Sequence, residues 1–210
     1  MLKRLFSEMA EDLRAVTRND PAARSTLEAL LCHTPLHAIF IYRIGHLLHE
    51  RLSVPLLPRM LSAFGRFLTG VEIHPAAQIG RRFFIDHGTG VVIGETAQIG
   101  DDCVLFHNVT LGGTGKHRGK RHPTLGDGVL VGTGATLLGP IAVGDGAKVG
   151  AGAFVRMHDV PPGCTATGMP ARIVKRAGVR VDEELPRTRL SEASILVDVD
   201  DDATSRAAKV

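Results

Sequence analysis

Tryptophan is absent from this chain of 210 residues and tyrosine occurs once, which argues against a globular core built on large aromatic side chains. Three cysteines, Cys32, Cys103 and Cys164, lack any metal-ligand spacing and read as reduced, mostly buried thiols. No apolar run approaches the length of a membrane span. The N-terminus lacks the apolar core of an export signal: Lys3 and Arg4 are followed by Glu8, Glu11 and Asp12. A cytoplasmic protein without a membrane partner is therefore expected. Net charge is small as well, +3, but it is unevenly spread. Residues 182 to 202 hold eight acids against two arginines, which leaves the rest of the chain basic. A phosphate-bearing small ligand suits that body better than nucleic acid.

What the chain has is glycine, 24 residues of it, and a beat. An aliphatic residue recurs every six positions at Ile73, Ile79 and Ile85, at Ile93, Ile99, Leu105 and Leu111, and at Leu125, Val131, Leu137, Val143, Val149 and Val155. Glycine often follows the beat residue, as at Gly80, Gly94, Gly126 and Gly150. A period of six fits neither an amphipathic helix nor an alternating strand. It fits a solenoid in which each hexapeptide forms one flat side of a parallel β-helix, with the beat residues stacked inside.

The beat fails twice. Between Ile85 and Ile93 the step is eight, and the extra residues fall around Asp86-His87-Gly88-Thr89-Gly90. Between Leu111 and Leu125 it is fourteen, so a loop rich in Gly, Lys, Arg and His is expelled. A regular solenoid gains no stability from either excursion, and polar residues carried out of a rigid scaffold are where sites are built.

Ahead of the solenoid, four helices are predicted. Residues 5 to 17 carry Leu5, Met9, Leu13 and Val16 on one stripe with charges opposite; Asp20 would cap the second helix, with Pro21 at its first position. The third follows Pro35 and the fourth follows Pro58, ending at Gly70. The expected layout is a helical domain over 1–70, capping the open end of the stack, and a β-helix over 71–176 with an extended loop at 112–124. An acidic, flexible tail is expected over 177–210.

With the repeat, both excursions and Gly168-Met169-Pro170-Ala171-Arg172-Ile173 together, the chain resembles the serine O-acetyltransferases, within the hexapeptide-repeat acyltransferases. The resemblance is carried by Asn19-Asp20-Pro21, Tyr42-Arg43-Ile44-Gly45-His46, Ile73-His74-Pro75, Asp86-His87, Gly94-Glu95-Thr96, Thr110-Leu111-Gly112-Gly113-Thr114-Gly115-Lys116 and Arg121-His122-Pro123. It implies a left-handed parallel β-helix assembling as a homotrimer, with active sites in clefts between neighbouring prisms. It also implies acetyl transfer from acetyl-CoA to L-serine, giving O-acetyl-L-serine for cysteine biosynthesis, with no metal.

A serine hydroxyl attacking a thioester needs a base, and histidine titrates in the right range. By its position in the resemblance His87 is that base. Glu72 stands where the family has an Asp that orients the imidazole, and would do the same from one methylene further out. Backbone N–H groups of the Gly112-Gly113 turn, Gly113 above all, would receive the oxyanion. Arg121 with His122 matches the pair binding the serine carboxylate; Asp86 and Asp20, with Pro21 shaping its turn, match the carboxylates facing the ammonium. Acetyl-CoA is expected along Gly113, Lys116 and the small-residue edges at Thr133 and Ala151. His74 and His107 read as side chains on a coil wall, His107 facing solvent or a neighbouring subunit.

L-Cysteine is a possible feedback inhibitor at the serine site. The tail ending in Val210 is a possible ligand of O-acetylserine sulfhydrylase, although Val replaces the family's terminal Ile. The short N-terminal region argues for a trimer over a dimer of trimers. Three other readings stay open: a different hydroxyl acceptor such as homoserine or a sugar, a γ-type carbonic anhydrase with His87, His117 and His122 on a metal, and a solenoid that serves only as scaffold.

Overall fold

The computed structural model describes residues 2–51, 56–115 and 118–188. Four helices come first: α1 (Leu2–Asn19), α2 (Thr26–Cys32), α3 (Thr34–Arg51) and α4 (Leu56–Thr69). Thirteen short strands then wind into three parallel sheets. The first sheet stacks β1 (Glu72–Ile73), β4 (Val92–Ile93), β7 (Thr110–Gly112), β10 (Thr136–Leu138) and β13 (Phe154–Arg156). The second stacks β2 (Gln78–Ile79), β5 (Gln98–Ile99), β8 (Thr124–Leu125) and β11 (Ala142–Val143). The third stacks β3 (Phe84–Asp86), β6 (Val104–Phe106), β9 (Leu130–Val131) and β12 (Lys148–Val149).

The register explains the period of six. Ile73, Ile93, Leu111, Leu137 and Val155 lie one above another, as do Ile85, Leu105, Val131 and Val149. Each row fills the prism's interior, and twelve of the thirteen beat residues are buried, Ile79 being partly so. Glycines after the beat allow the coils to close up at a corner: a Cβ on Gly80 would meet the backbone of Gly100 at 2.6 Å, and one on Gly100 that of Gly126 at 2.7 Å. The two breaks in the beat become the β3–β4 corner and the long loop between β7 and β8.

The helices lie against the first coil. Ile39 and Tyr42 of α3 join the solenoid core, and the Tyr42 hydroxyl donates to Ala77 O at 2.7 Å. Charges are expected opposite the apolar stripe of α1, yet Asp12 is wholly buried: it accepts from Arg43 Nε at 3.0 Å and from Phe83 N at 3.1 Å. Its position faces the solenoid because Val16, one turn along, is buried on the same side.

Two expectations need correcting. Asp20 does not cap α2. Its Oδ1 accepts from Ala22 N at 2.8 Å, an Asx turn that follows α1, and Ser25 caps α2 by accepting from Glu28 N at 3.1 Å. Nor does a flexible tail begin at 177. A hairpin of β14 (Cys164–Gly168) and β15 (Ala171–Arg176) is joined antiparallel by β16 (Val179–Glu184), with Leu185 and Thr188 buried behind it. The acids that suggested disorder meet arginines across the strand: Arg172 binds Asp182 at 2.6 Å, and Arg176 pairs with Glu183. Ile195–Val197 and the terminal residues expected to reach a sulfhydrylase lie outside the described residues. No helix among the described residues is long and apolar enough to cross a membrane.

Candidate active site

The β3–β4 corner turns through two residues in the left-handed region, His87 (φ 59) and Gly88 (φ 78). A Cβ on Gly88 would lie 2.7 Å from Pro35 Cγ, so the corner is pressed against the start of α3. His87 itself projects outwards, with its side chain 75% exposed and Nε2 3.9 Å from Asp86 Oδ1, beyond hydrogen-bonding reach. Its ring meets that of His107 edge to face at 5.6 Å. His107 is thus more than a wall residue: its Nδ1 is buried and has no hydrogen-bond partner among the described residues. The signal was present in the sequence, since one coil separates the two histidines.

That corner recurs. The pairing of β3 with β6, β6 with β9 and β9 with β12 sets His87, His107, Thr133 and Ala151 at the same corner of four successive coils. Gly134 N donates to His107 O at 3.0 Å and Gly152 N to Thr133 O at 2.8 Å, which fixes the alignment. At about 4.8 Å per coil, His87 and Ala151 stand roughly 14 Å apart along the edge.

The turn at Asp20 and Pro21 comes to the same end of the molecule. Asp20 shares a cavity of about 130 Å³ with Glu28, Cys32 and His33. The His33 ring packs against Phe84 of β3 with centroids 5.6 Å apart, so helical cap and solenoid meet there.

Arg121 and His122 belong to a different corner. The loop leaving β7 returns across the turn between β4 and β5, where Thr96 Oγ1 accepts from Arg121 N at 3.0 Å and from His122 N at 3.1 Å. The Arg121 guanidinium is ion-paired with Glu95, holding that carboxyl below its usual range. His122 is buried, hydrogen-bonded through Nδ1 to Thr96 Oγ1 at 2.9 Å, and pushed down to about 4 by burial and then by Arg121. It is neutral at physiological pH. Burial also pushes Lys120 down to about 8, and its Nζ donates to Thr96 O at 2.7 Å. Gly113 lies beside Arg121, whose carbonyl oxygen would be 3.3 Å from an added Cβ. Lys116 and His117 lie outside the described residues.

Gly94 carries a specific requirement: a Cβ there would fall 2.0 Å from His122 Cδ2. Gly94→Ala is expected to expel the buried ring and break its bonds to Thr96, lowering the melting temperature by a few degrees and raising the KM of whatever ligand this corner binds about tenfold. Steady-state kinetics beside a thermal melt checks it.

Of the residues singled out from sequence, the fold brings Asp20, Asp86 and His87 to one place and Arg121, His122 and Gly113 to another, on consecutive corners one sheet apart. It does not join Glu72 to His87. The Glu72 carboxylate is bound by Arg66 Nη1 at 2.5 Å, because α4 runs directly into β1 and lays Arg66 over it. Glu95, Thr96 and His107 are the neighbours that sequence reasoning left without a role. Among the described residues no three His, Cys, Asp or Glu side chains are grouped to hold a metal.

The profile of the bacterial transferase hexapeptide (six repeats) family matches residues 122–156. The serine acetyltransferase of Synechococcus elongatus is 52% identical over 178 residues, covering 85% of this chain and 72% of its own. The solved Neisseria gonorrhoeae serine acetyltransferase in complex with serine superposes with a TM-score of 0.78 at 40% identity, covering 82% of this chain and 70% of that one. A serine acetyltransferase solved in complex with cysteine superposes with a TM-score of 0.79 at 42% identity, covering 83% of this chain and 67% of that one.

Proposed function

The chain belongs to the serine acetyltransferase family, and from that premise we infer how its two half-sites move the acetyl group of acetyl-CoA onto the hydroxyl of L-serine. One observation carries the reading: His87 with Asp86 on one corner and Arg121 with His122 on the next, neither pair complete alone. Asp86 and Asp20 would take the serine ammonium, Arg121 and His122 its carboxylate. Pro21 shapes the Asp20 turn. Glu95 holds the Arg121 guanidinium and Thr96 the backbone beneath it, so both act as positioning residues.

The seryl oxygen then lies near His87. The imidazole takes the hydroxyl proton as the oxygen attacks the thioester carbonyl, and the tetrahedral oxyanion is met by the Gly113 N–H. Collapse breaks the carbon–sulfur bond, and CoA leaves with the proton returned from the imidazolium. O-Acetyl-L-serine remains. Glu72 lies on β1 below this corner, paired with Arg66, whose side chain is 65% exposed. Such pairs are worth at most about 1 kcal/mol, so the carboxylate is free to exchange it for the imidazolium. The CoA arm would run along the edge from His107 past Thr133 to Ala151, with Lys116 as a phosphate contact. L-Cysteine presents the same ammonium and carboxylate and would compete with serine.

The half-sites are reconciled by a homotrimer in which one copy supplies His87 and its neighbour Arg121. The apolar face of α4 supports an interface: Leu56, Met60, Phe64 and Phe67 are all exposed, Phe67 at 84%. Thiol release from acetyl-CoA with L-serine tests the whole reading, and faster turnover with homoserine or a sugar would overturn it. Mixing tests the division. Co-refolded His87→Ala and Arg121→Ala subunits, each inactive alone, should regain up to about a quarter of wild-type activity, because random assembly joins two intact halves at one interface in four. No recovery would mean that each chain holds its own complete site.

A further inference from the structure

His33 links α2 to α3 and belongs to none of the roles above. Its own N–H donates to Ala29 O at 3.1 Å, and its Nδ1 accepts from Leu36 N at 3.2 Å. An Nδ1 that accepts cannot carry the proton, so the neutral ring is the Nε2–H tautomer and has one donor left. The ring lies against Phe84, with centroids 5.6 Å apart, and Phe84 precedes Asp86 by two residues on β3. The half-buried imidazole shares the 130 Å³ cavity with Asp20 and Glu28. The charged or titratable groups acting on it are Asp20 from the cap, Asp86 from the solenoid and His37 from α3, with Glu28 and Cys32 of α2 lining the same cavity.

We propose that His33 is a positioning residue for the substrate ammonium: a neutral imidazole whose Nε2–H holds the Asp20 and Asp86 carboxylates toward one point without neutralising either. The inference rests on the assignment of those two carboxylates to the serine ammonium. An imidazole suits the place for two reasons. As a neutral donor it offsets the repulsion of two anions brought close. It also leaves their net charge intact for the incoming cation, which a lysine or arginine there would cancel. Burial opposes its protonation, keeping the ring neutral below the ordinary imidazole range. When it does protonate, the new cation competes with the substrate's own, so the serine KM rises as pH falls through that lower range.

Two isosteres separate the ring's functions. Asparagine retains the Nδ1 acceptor for Leu36 N–H; glutamine retains a donor near the Nε2 position. His33→Asn is expected to raise the serine KM about tenfold, with kcat and the acetyl-CoA KM changed less than about twofold; His33→Gln should return the serine KM to within about threefold of wild type. From about pH 8 down to about pH 5, the His33→Gln enzyme should lose the part of the serine KM rise that the imidazole causes. An unchanged serine KM in His33→Asn, or a proportional loss of kcat and both KM values in both variants, would overturn the proposal. Asp86→Asn, measured alongside, tests the premise separately. A raised serine KM there with no effect at His33 removes only this inference, whereas no effect at Asp86 removes the ammonium site itself.

Discussion

His87→Ala should lower kcat by about two to four orders of magnitude, with the serine and acetyl-CoA KM values within about threefold of wild type. The side chain is exposed and touches little besides the His107 ring, so its removal takes away a proton acceptor and almost no packing. Its contribution arises only while the seryl oxygen is losing its proton, and a group that acts in the transition state alone shows in kcat rather than KM. The loss corresponds to about 3–5 kcal/mol of barrier. One complication is local: residue 87 has φ 59, where alanine is less at ease than histidine or asparagine. His87→Asn is therefore the companion variant, since it tolerates that backbone and cannot act as a base. Both should be equally inactive and melt within a few degrees of wild type. A kcat within tenfold of wild type in either would transfer the base to another residue, with His107 the nearest imidazole.

The solenoid was legible because its period is enforced by stacking. A residue that must sit above Ile73, Ile93 and Leu111 has no choice but to be aliphatic, so the register is written in the sequence. The same regularity made Asp86-His87 and Arg121-His122 visible as departures from it. The neighbours of those residues were not visible, for a geometric reason. Arg121 meets Glu95 only because the expelled loop folds back across the β4–β5 turn, and no spacing along the chain records where a loop returns. His107 was within reach of period arithmetic, one coil above His87, but its ring reads as wall until the corner's direction is known. Asp20 misled because Asp-Pro is a common helix start; the Asx turn it forms uses the same carboxylate on a different N–H. The acidic run misled because net charge was counted without β15 beside it, where Arg172 and Arg176 supply the counter-charge. Asp12 misled for the opposite reason: its partners, Arg43 and the Phe83 N–H, are 31 and 71 residues away.

That pair carries the second large effect, on stability. Asp12→Ala should destabilise the protein by about 3–5 kcal/mol, the usual consequence of leaving one member of a buried ion pair alone. The Arg43 guanidinium is 4% exposed and its neighbour's carboxylate is wholly buried. Arg43 donates to Asp12 Oδ2 at 3.0 Å and Oδ1 at 3.3 Å, and also to Ile79 O at 2.7 Å and to Gly80 O. Asp12 in turn receives Phe83 N–H, so one carboxylate ties α1 to α3 and to the first coil. Without it the guanidinium keeps two carbonyl acceptors but only the Glu8 carboxylate, 4.0 Å from Nη1, as counter-charge, while a buried N–H loses its acceptor. Replacing both partners is a different experiment from breaking the pair. Asp12→Leu with Arg43→Met exchanges charge for apolar volume and should recover much of the loss, since desolvating two ions offsets most of their attraction. For a chain of this length the single variant should melt about 10 °C lower or more. Because α1 leads directly into Asp20, the serine KM should rise in a variant that still folds, with kcat less affected. A melting temperature within about 2 °C of wild type would show that α1 is held to the solenoid by its apolar contacts, Val16 and Ala15 against Leu36 and Phe84, and not by this pair.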